Sequence, residues 1–176
     1  MELIRSERVF QGRAFEVRVD QLRRPDGEIM RIDLVEHVGA VALLPLGQDG
    51  LIWFVRQYRH PAGKRLLELP AGTLEPGEPP EECARRECRE EIGMAPGRLE
   101  RLGGFYLAPG YSTEYLQVFL AADLQPSPLP GDEDEELEIE RLGLEQALQR
   151  MRRGEIEDAK SLAALLLGLP LLQSEA

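Results

Sequence analysis

Polar and apolar residues alternate twice near the start of the chain, first where Phe15, Val17 and Val19 interleave with Glu16, Arg18 and Asp20, then through Met30, Ile32 and Leu34. Alternation with period two sorts side chains onto opposite faces of a strand. Arg24-Pro25-Asp26-Gly27 between the two stretches carries turn chemistry, so the pattern predicts a β-hairpin. Residues 38–46 and 51–55 are near-continuous apolar runs of the kind that form core strands, and Gly47-Gln48-Asp49-Gly50 between them predicts a second hairpin. The period then changes. Over residues 79–92, Ala84, Cys88 and Ile92 recur every fourth position, with Pro79 and Pro80 at the first turn, Glu78, Glu81 and Glu82 near the positive helix end, and Gly93 as the stop.

Beyond this helix, residues 105–107 and 115–121 read as strands joined by the turn-rich Ala108-Pro109-Gly110-Tyr111-Ser112-Thr113. Residues 125–130, three of them proline, predict an extended connector into an acidic loop at 131–136, after which 137–139 resume strand-like alternation. Residues 144–152 and 158–167 predict two closing helices.

Composition narrows the class. The chain has 176 residues, 43% of them hydrophobic, which at this length fills the core of one domain, or of one domain with a small appendage, and excludes disorder as its main character. With 21 Lys and Arg against 32 Asp and Glu the formal charge is −11, a surface that repels phosphate backbones, so no nucleic-acid partner is expected. The longest apolar stretch, residues 162–172, is broken by Gly168 and Pro170 and falls short of the ~20 residues of a membrane span, so no membrane partner is expected. Met1-Glu2-Leu3-Ile4-Arg5 has no signal-peptide pattern, and Cys83 and Cys88, five apart on a helix, point to different faces and do not suit a bridge. The cytoplasm is the expected compartment.

The candidate chemistry lies on the central helix. Glu87 and Glu91 form an i, i+4 pair with Glu90 beside them, and like charges at that spacing cost a few tenths of a kcal/mol unless compensated. A solvated acidic face is the ordinary reading of such a run. The alternative is a hard divalent cation, which prefers oxygen ligands and needs only two or three glutamates facing a phosphate-bearing substrate.

The wider spacing decides between these. Gly72, five residues, Glu78, seven residues, then Arg86-Glu87-Cys88-Arg89-Glu90-Glu91-Ile92-Gly93-Met94 resembles the Nudix box, departing mildly at Cys88, where a larger aliphatic is usual. The resemblance spans residues 38–167. It implies an α/β class fold, an α/β/α sandwich around a mixed β-sheet, here with an N-terminal antiparallel β-hairpin extension. Residues 1–37 would be that extension and a dimerisation element, and 38–176 the catalytic domain. It further implies hydrolysis of a nucleoside diphosphate linked to another moiety, with Mg²⁺ as cofactor and Mn²⁺ as a substitute. Glu87 and Glu91 would be the principal metal ligands, Glu90 and the backbone carbonyl of Ala71 further ones; Arg86 would orient a glutamate and Glu78 brace the loop.

Three features outside the box resemble the ADP-ribose pyrophosphatase branch. Arg56-Gln57-Tyr58-Arg59 leads to Leu67-Glu68-Leu69-Pro70-Ala71-Gly72, implying Arg56, Arg59 and Glu68 as substrate-binding residues. Pro109, sixteen residues beyond Gly93, with Gly110 after it, marks the same branch. Asp132-Glu133-Asp134-Glu135-Glu136 is similar to the acidic loop that supplies the general base, with Glu135 best aligned and Glu136, Glu133 or Glu90 as the alternatives. Guanidinium forks suit phosphate oxygens, and an acidic protein that binds a diphosphate needs cations at the site. Tyr58 remains open as an adenine-stacking residue, whereas Trp53 reads as core; His37 and His60 form no ligand set. The expectation is a homodimeric hydrolase of ADP-ribose, a small-molecule nucleotide sugar. Its rivals are GDP-mannose, FAD or NADH as substrate, and a non-catalytic ADP-ribose-binding module, disfavoured because all three box glutamates are present.

Overall fold

A computed structural model describes residues 1–13, 15–131 and 136–174 of the chain, which groups into two units. The first unit joins Met1–Gly39 with Phe105–Leu116. Its sheet has the order β1 (Glu2–Gln11), β2 (Glu16–Arg23), β3 (Ile29–Glu36), all antiparallel. The expected hairpin is β2–β3, closed by the Gly27 amide donating to the Arg24 carbonyl at 2.9 Å with Gly27 at φ 90°, a conformation that favours glycine. The alternation did not predict β1. Its ten residues are all exposed and its pairing with β2 slips twice, so no buried face imposes a period of two on its sequence. In the same unit, Ser112 bridges Val35, and the Val35 amide donates to the Tyr111 carbonyl at 2.7 Å.

The second unit comprises Ala40–Gly104 and Gln117–Ala176. A four-stranded sheet runs in the order β7 (Ala71–Thr73), β4 (Ala40–Pro45), β9 (Tyr115–Pro126), β8 (Met94–Tyr106), and a three-stranded sheet in the order β10 (Glu138–Leu142), β5 (Ile52–Arg59), β6 (Lys64–Glu68). The second hairpin therefore takes a different form from the one expected. Gly47 and Gly50 do make a tight turn, and Leu46 bridges Ile52, but β4 and β5 then run in different sheets. All six residues of β4 are buried, and a strand covered on both faces carries no alternation that would name its neighbour.

Helix α1 (Pro80–Glu91) lies where the sequence places it, with Gly93 at φ 71° beyond its end. Its Cys83, Ala84 and Cys88, with Ile92, pack into a cluster with Val41 and Leu43 of β4 and Phe119 and Ala121 of β9. Leu44, the next residue on β4, points to the opposite face and meets Gly168 of helix α3 (Ala159–Ser174). Helices thus cover both faces of the sheet, the α/β/α layering expected for this α/β fold. Each fully buried Leu, Ile or Phe contributes roughly 1.5–3 kcal/mol. Helix α2 (Leu144–Arg152) matches its expected span.

Several elements exceed their expected lengths; among them β5 runs on to Arg59 and β9 to Pro126, and β8 and α3 are extended further still. Strand β8 begins at Met94, not near Phe105, because Pro96, Gly97, Gly103 and Gly104 disguise it; Gly97 lies flush against Asp123, where a Cβ would stand 3.0 Å from the aspartate's own. Helix α3 continues through Gly168 and Pro170 to Ser174. Gly168 reads as a breaker but allows close approach, since any Cβ there would collide with Leu44.

Candidate active site

The two prolines before α1 fix its first turn, and the helix then carries Arg86, Glu87, Glu90 and Glu91 past the short strand β7. Arg86 is the hub. Its Nε and Nη2 donate to the two oxygens of Glu78, each at 2.9 Å, and its Nη1 donates to Glu87 at 2.6 Å and Glu90 at 2.8 Å. Nη2 also reaches the Thr73 carbonyl at 3.3 Å. One guanidinium therefore ties three carboxylates to the β7 end, offsetting the repulsion inherent in the helical spacing. The twin hydrogen bonds from Arg86 hold the Glu78 carboxyl at a pKa of about 2, against the upward push of burial. The guanidinium in turn is held charged, its pKa raised above the usual arginine value chiefly by Glu78.

Glu87 and Glu91 are both buried, and both meet β7. The Ala71 amide donates to Glu91 Oε2 at 3.2 Å, and the Glu87 carboxylate occupies the space into which a side chain at residue 72 would grow. Gly72 is therefore required by the close approach of strand and carboxylate. Among the described residues, no three His, Cys, Asp or Glu side chains gather into a closed metal cage. A small hard cation that retains several waters needs no such cage. One or two carboxylates beside substrate phosphates suffice, and two buried glutamates converging on a glycine-lined strand fit that requirement.

A second cluster sits at the end of β6, three residues before Ala71. Glu68, 2% exposed, receives Arg59 Nε at 2.9 Å and Nη2 at 2.8 Å, and also accepts from Lys160. Burial pushes the Glu68 carboxyl up, but hydrogen bonds and charge from Arg59 and Lys160 outweigh it, and its pKa lies below the usual value. Arg56 pairs with Glu140 of β10 at 2.9 Å, and Arg150 grips the other oxygen of Glu140 at 2.6 Å. Lys160, Asp158, Ser161, Glu140 and Arg150 were not among the residues singled out by sequence reasoning. Asp158 was legible as a helix cap, but the partnership of Lys160 with Glu68, 92 positions away, leaves no local signal.

The structure thus brings together Ala71, Glu78, Arg86, Glu87, Glu90 and Glu91, and separately joins Arg59 to Glu68. Pro109 and Gly110 belong to the other unit, at the tip of a turn where the Tyr111 and Ser112 amides both donate to the Ala108 carbonyl. Glu135, with Asp132, Glu133 and Asp134, lies outside the described residues. The segment leading there is stitched to the end of α1. Ser127 donates to the Gly93 carbonyl at 2.9 Å, Leu129 to Arg89 at 3.1 Å, and a Cβ on Gly131 would stand 3.5 Å from the Glu90 carbonyl. Glu136 pairs with Arg65 at 3.1 Å at the surface. Trp53 lies beneath the Arg141 guanidinium, 5.2 Å from ring centre, while Tyr58 is exposed beside His60. The two thiols are free and buried; burial raises both, Cys88 to about 12, so they are inert at neutral pH.

A glutamate-bearing loop-helix-loop on an α/β/α sandwich defines the class. The NUDIX domain family model matches residues 35–165, and the chain belongs to the Nudix family, whose hydrolases generally use a divalent metal. The chain is 37% identical over 164 residues to the ADP-ribose pyrophosphatase of Bacillus subtilis (strain 168), covering 92% of this chain and 89% of that one. It is 41% identical over 169 residues to the ADP-ribose pyrophosphatase of Mycobacterium tuberculosis (strain ATCC 25618 / H37Rv), covering 94% and 81%. The crystal structure of an ADP compounds hydrolase superposes with a TM-score of 0.87 at 27% identity, covering 99% of this chain and 95% of that one.

Proposed function

We propose that this chain is a Mg²⁺-dependent hydrolase that cleaves the pyrophosphate of ADP-ribose to AMP and ribose 5-phosphate, with Mn²⁺ able to substitute. The observation that carries the reading is the convergence of buried Glu87 and Glu91 on Ala71-Gly72, within a chain similar over nine-tenths of its length to proteins named ADP-ribose pyrophosphatases. Glu87 and Glu91 would hold the metal, with Glu90 and the Ala71 carbonyl as further ligands, and such an ion would supply charge neutralisation at the diphosphate and a more acidic water. Arg86 fixes the orientation of Glu87 and Glu90, and Glu78 fixes Arg86. Arg59 and Arg56 bind the anionic substrate, the first held in place by Glu68; Pro109 and Gly110 are proposed as substrate-binding residues from the resemblance of their sequence.

Glu135 removes the proton from the attacking water, whose oxygen bonds to phosphorus as the bridging P–O bond breaks. One feature supports this choice over the next residue: Glu136 is engaged by Arg65. Residues 1–37 serve as a dimerisation extension to the catalytic domain at 38–176; Leu3, Val9, Phe10 and Ile29 expose apolar surface that a second copy would cover. The enzyme works in the cytoplasm, in keeping with its two unpaired thiols; no helix among the described residues is long and apolar enough to cross a membrane.

Chromatographic product analysis tests the reading. The protein is incubated with Mg²⁺ and, separately, ADP-ribose, GDP-mannose, FAD, NADH and a nucleoside triphosphate. Selective release of AMP and ribose 5-phosphate from ADP-ribose is the expected result. Faster cleavage of another substrate overturns the substrate assignment, and no cleavage of any, with the glutamates intact, overturns the enzyme reading in favour of a binding module.

A further inference from the structure

We propose that Arg89 is a positioning residue for the metal-facing end of α1: with the proline-flanked segment at residues 126–130 that it grips, it holds the backbone of Glu90 and Glu91 so that their carboxylates meet a divalent cation from a fixed frame. The inference rests on the reading of Glu90 and Glu91 as metal ligands.

Residues 126–130 read Pro-Ser-Pro-Leu-Pro, so only Ser127 and Leu129 keep an amide donor. Each precedes a proline, which holds it in extended backbone, and amides two residues apart in extended chain face the same side. Both donors are spent on the end of α1, Ser127 on the Gly93 carbonyl at 2.9 Å and Leu129 on the Arg89 carbonyl at 3.1 Å. Arg89 reciprocates, its Nε donating to the Ser127 carbonyl at 3.0 Å. The last four carbonyls of a helix have no partner within it, and with α1 ending at Glu91 the Arg89 carbonyl is one of these. The final turn of the helix is thus capped by a segment distant in sequence, gripped in return by a side chain of that turn.

The same turn carries Glu90 and Glu91, two carboxylates at the negative end of the helix dipole, and Arg89 is its basic residue. Charge therefore works against this turn, and helix ends are the first parts of a helix to open. The printed side-chain bonds that steady the two glutamates use the carboxylates themselves: Glu90 accepts from Arg86 at 2.8 Å and Glu91 from the Ala71 amide at 3.2 Å. A cation competes for those same groups. The bonds that join Arg89, Ser127, Leu129 and Gly93 end on main-chain carbonyls and draw on neither carboxylate. They persist whether or not an ion is present, and they set the frame from which Glu90 and Glu91 reach it. A preset frame leaves less for the ion to order, so its loss is felt in metal affinity before it is felt in substrate binding.

Direct binding of Mn²⁺ to the full chain without substrate tests the proposal, read as loss of the free-ion signal in electron paramagnetic resonance, well below the unfolding temperature of every variant. Arg89→Met removes the guanidinium and Leu129→Pro the amide donor, and each is expected to raise the Mn²⁺ Kd about tenfold. Arg89→Lys, which retains a cationic donor, and Leu129→Ala, which retains the amide, bind Mn²⁺ within about twofold of the parent. In turnover of ADP-ribose the Mg²⁺ concentration for half-maximal rate rises in the first pair, while KM at saturating Mg²⁺ stays within about twofold of the parent. Unchanged Mn²⁺ affinity in Arg89→Met, the same loss in Arg89→Lys, or a loss in Leu129→Ala equal to that in Leu129→Pro overturns the proposal. Where Leu129→Pro fails to fold, Arg89→Met against Arg89→Lys decides. Parent-like Mn²⁺ binding in both Glu90→Gln and Glu91→Gln overturns the reading of those residues as ligands, a result distinct from failure of the Arg89 variants.

Discussion

Replacing Glu78 by Gln isolates the electrostatic half of the Arg86 hub while preserving its shape. The amide keeps an oxygen that can accept from Arg86 or from the Glu75 amide, which now donates to Glu78 at 3.0 Å, but it loses the charge that makes the twin 2.9 Å bonds strong. In the folded chain the Glu78 carboxyl titrates at about 2 in place of its ordinary 4.5. A displacement of that size corresponds to about 3 kcal/mol, and screening by water at the partly open Arg86 brings the expected contribution to about 2 kcal/mol. The sign of its pH dependence follows from the direction of the shift. A depressed carboxyl stabilises the fold fully above its unfolded pKa, so the contribution is complete at neutral pH and is lost as pH falls from about 4.5 toward 2. Urea unfolding of parent and Glu78→Gln at pH 7, 5, 4 and 3 should therefore show a gap of about 2 kcal/mol that is constant down to pH 5 and then narrows, because the unfolded parent's carboxyl takes up a proton below its ordinary 4.5 while the folded one stays charged. A gap of the same size at pH 7 and pH 3 would show that the variant acts through lost packing, and would refute the account of Glu78 as a charged brace.

The remaining expectations concern turnover. Glu91→Gln should cut kcat by ~10²-fold or more and raise the Mg²⁺ concentration needed for half-maximal rate; a titration matching the parent's would remove Glu91 from the metal site. Glu135→Gln should lower kcat strongly with little change in KM, and if turnover barely moves, the base is Glu136, Glu133 or Glu90. Gly72→Ala places a methyl where the Glu87 carboxylate lies. The carboxylate, being a side-chain end, can swing away at a cost of about 1–3 kcal/mol in stability, so the chain should fold yet lose at least about tenfold in kcat with a raised Mg²⁺ requirement. Parent-like kinetics in that variant would show that the contact between β7 and Glu87 has no bearing on catalysis.

What could be read along the chain, and what could not, divides according to how far apart the interacting residues are. The α1 helix announced itself because its cap prolines, its buried Ala84, Cys88 and Ile92, and its stop at Gly93 all fall within fifteen residues, and the hub of Arg86 with Glu78, Glu87 and Glu90 extends that window by one residue. Strand β4 was visible as a strand but its neighbours were not: a segment buried on both faces carries no period that distinguishes β5 from β7 and β9 as its partners. Gly97, Gly103 and Gly168 misled for a related reason. A glycine chosen to let two backbones or a helix and a leucine meet closely looks, in sequence, the same as one chosen to end an element. Arg59 and Lys160 show the limit most sharply. The sequence places an arginine before a Leu-Glu-Leu-Pro-Ala-Gly entry, which is enough to suggest an anion site, but it does not reveal that the glutamate of that entry is bound both by this arginine and by a lysine 92 positions further on. Local spacing can therefore nominate the groups that touch a diphosphate, whereas the partners that hold those groups in place are supplied by the tertiary fold.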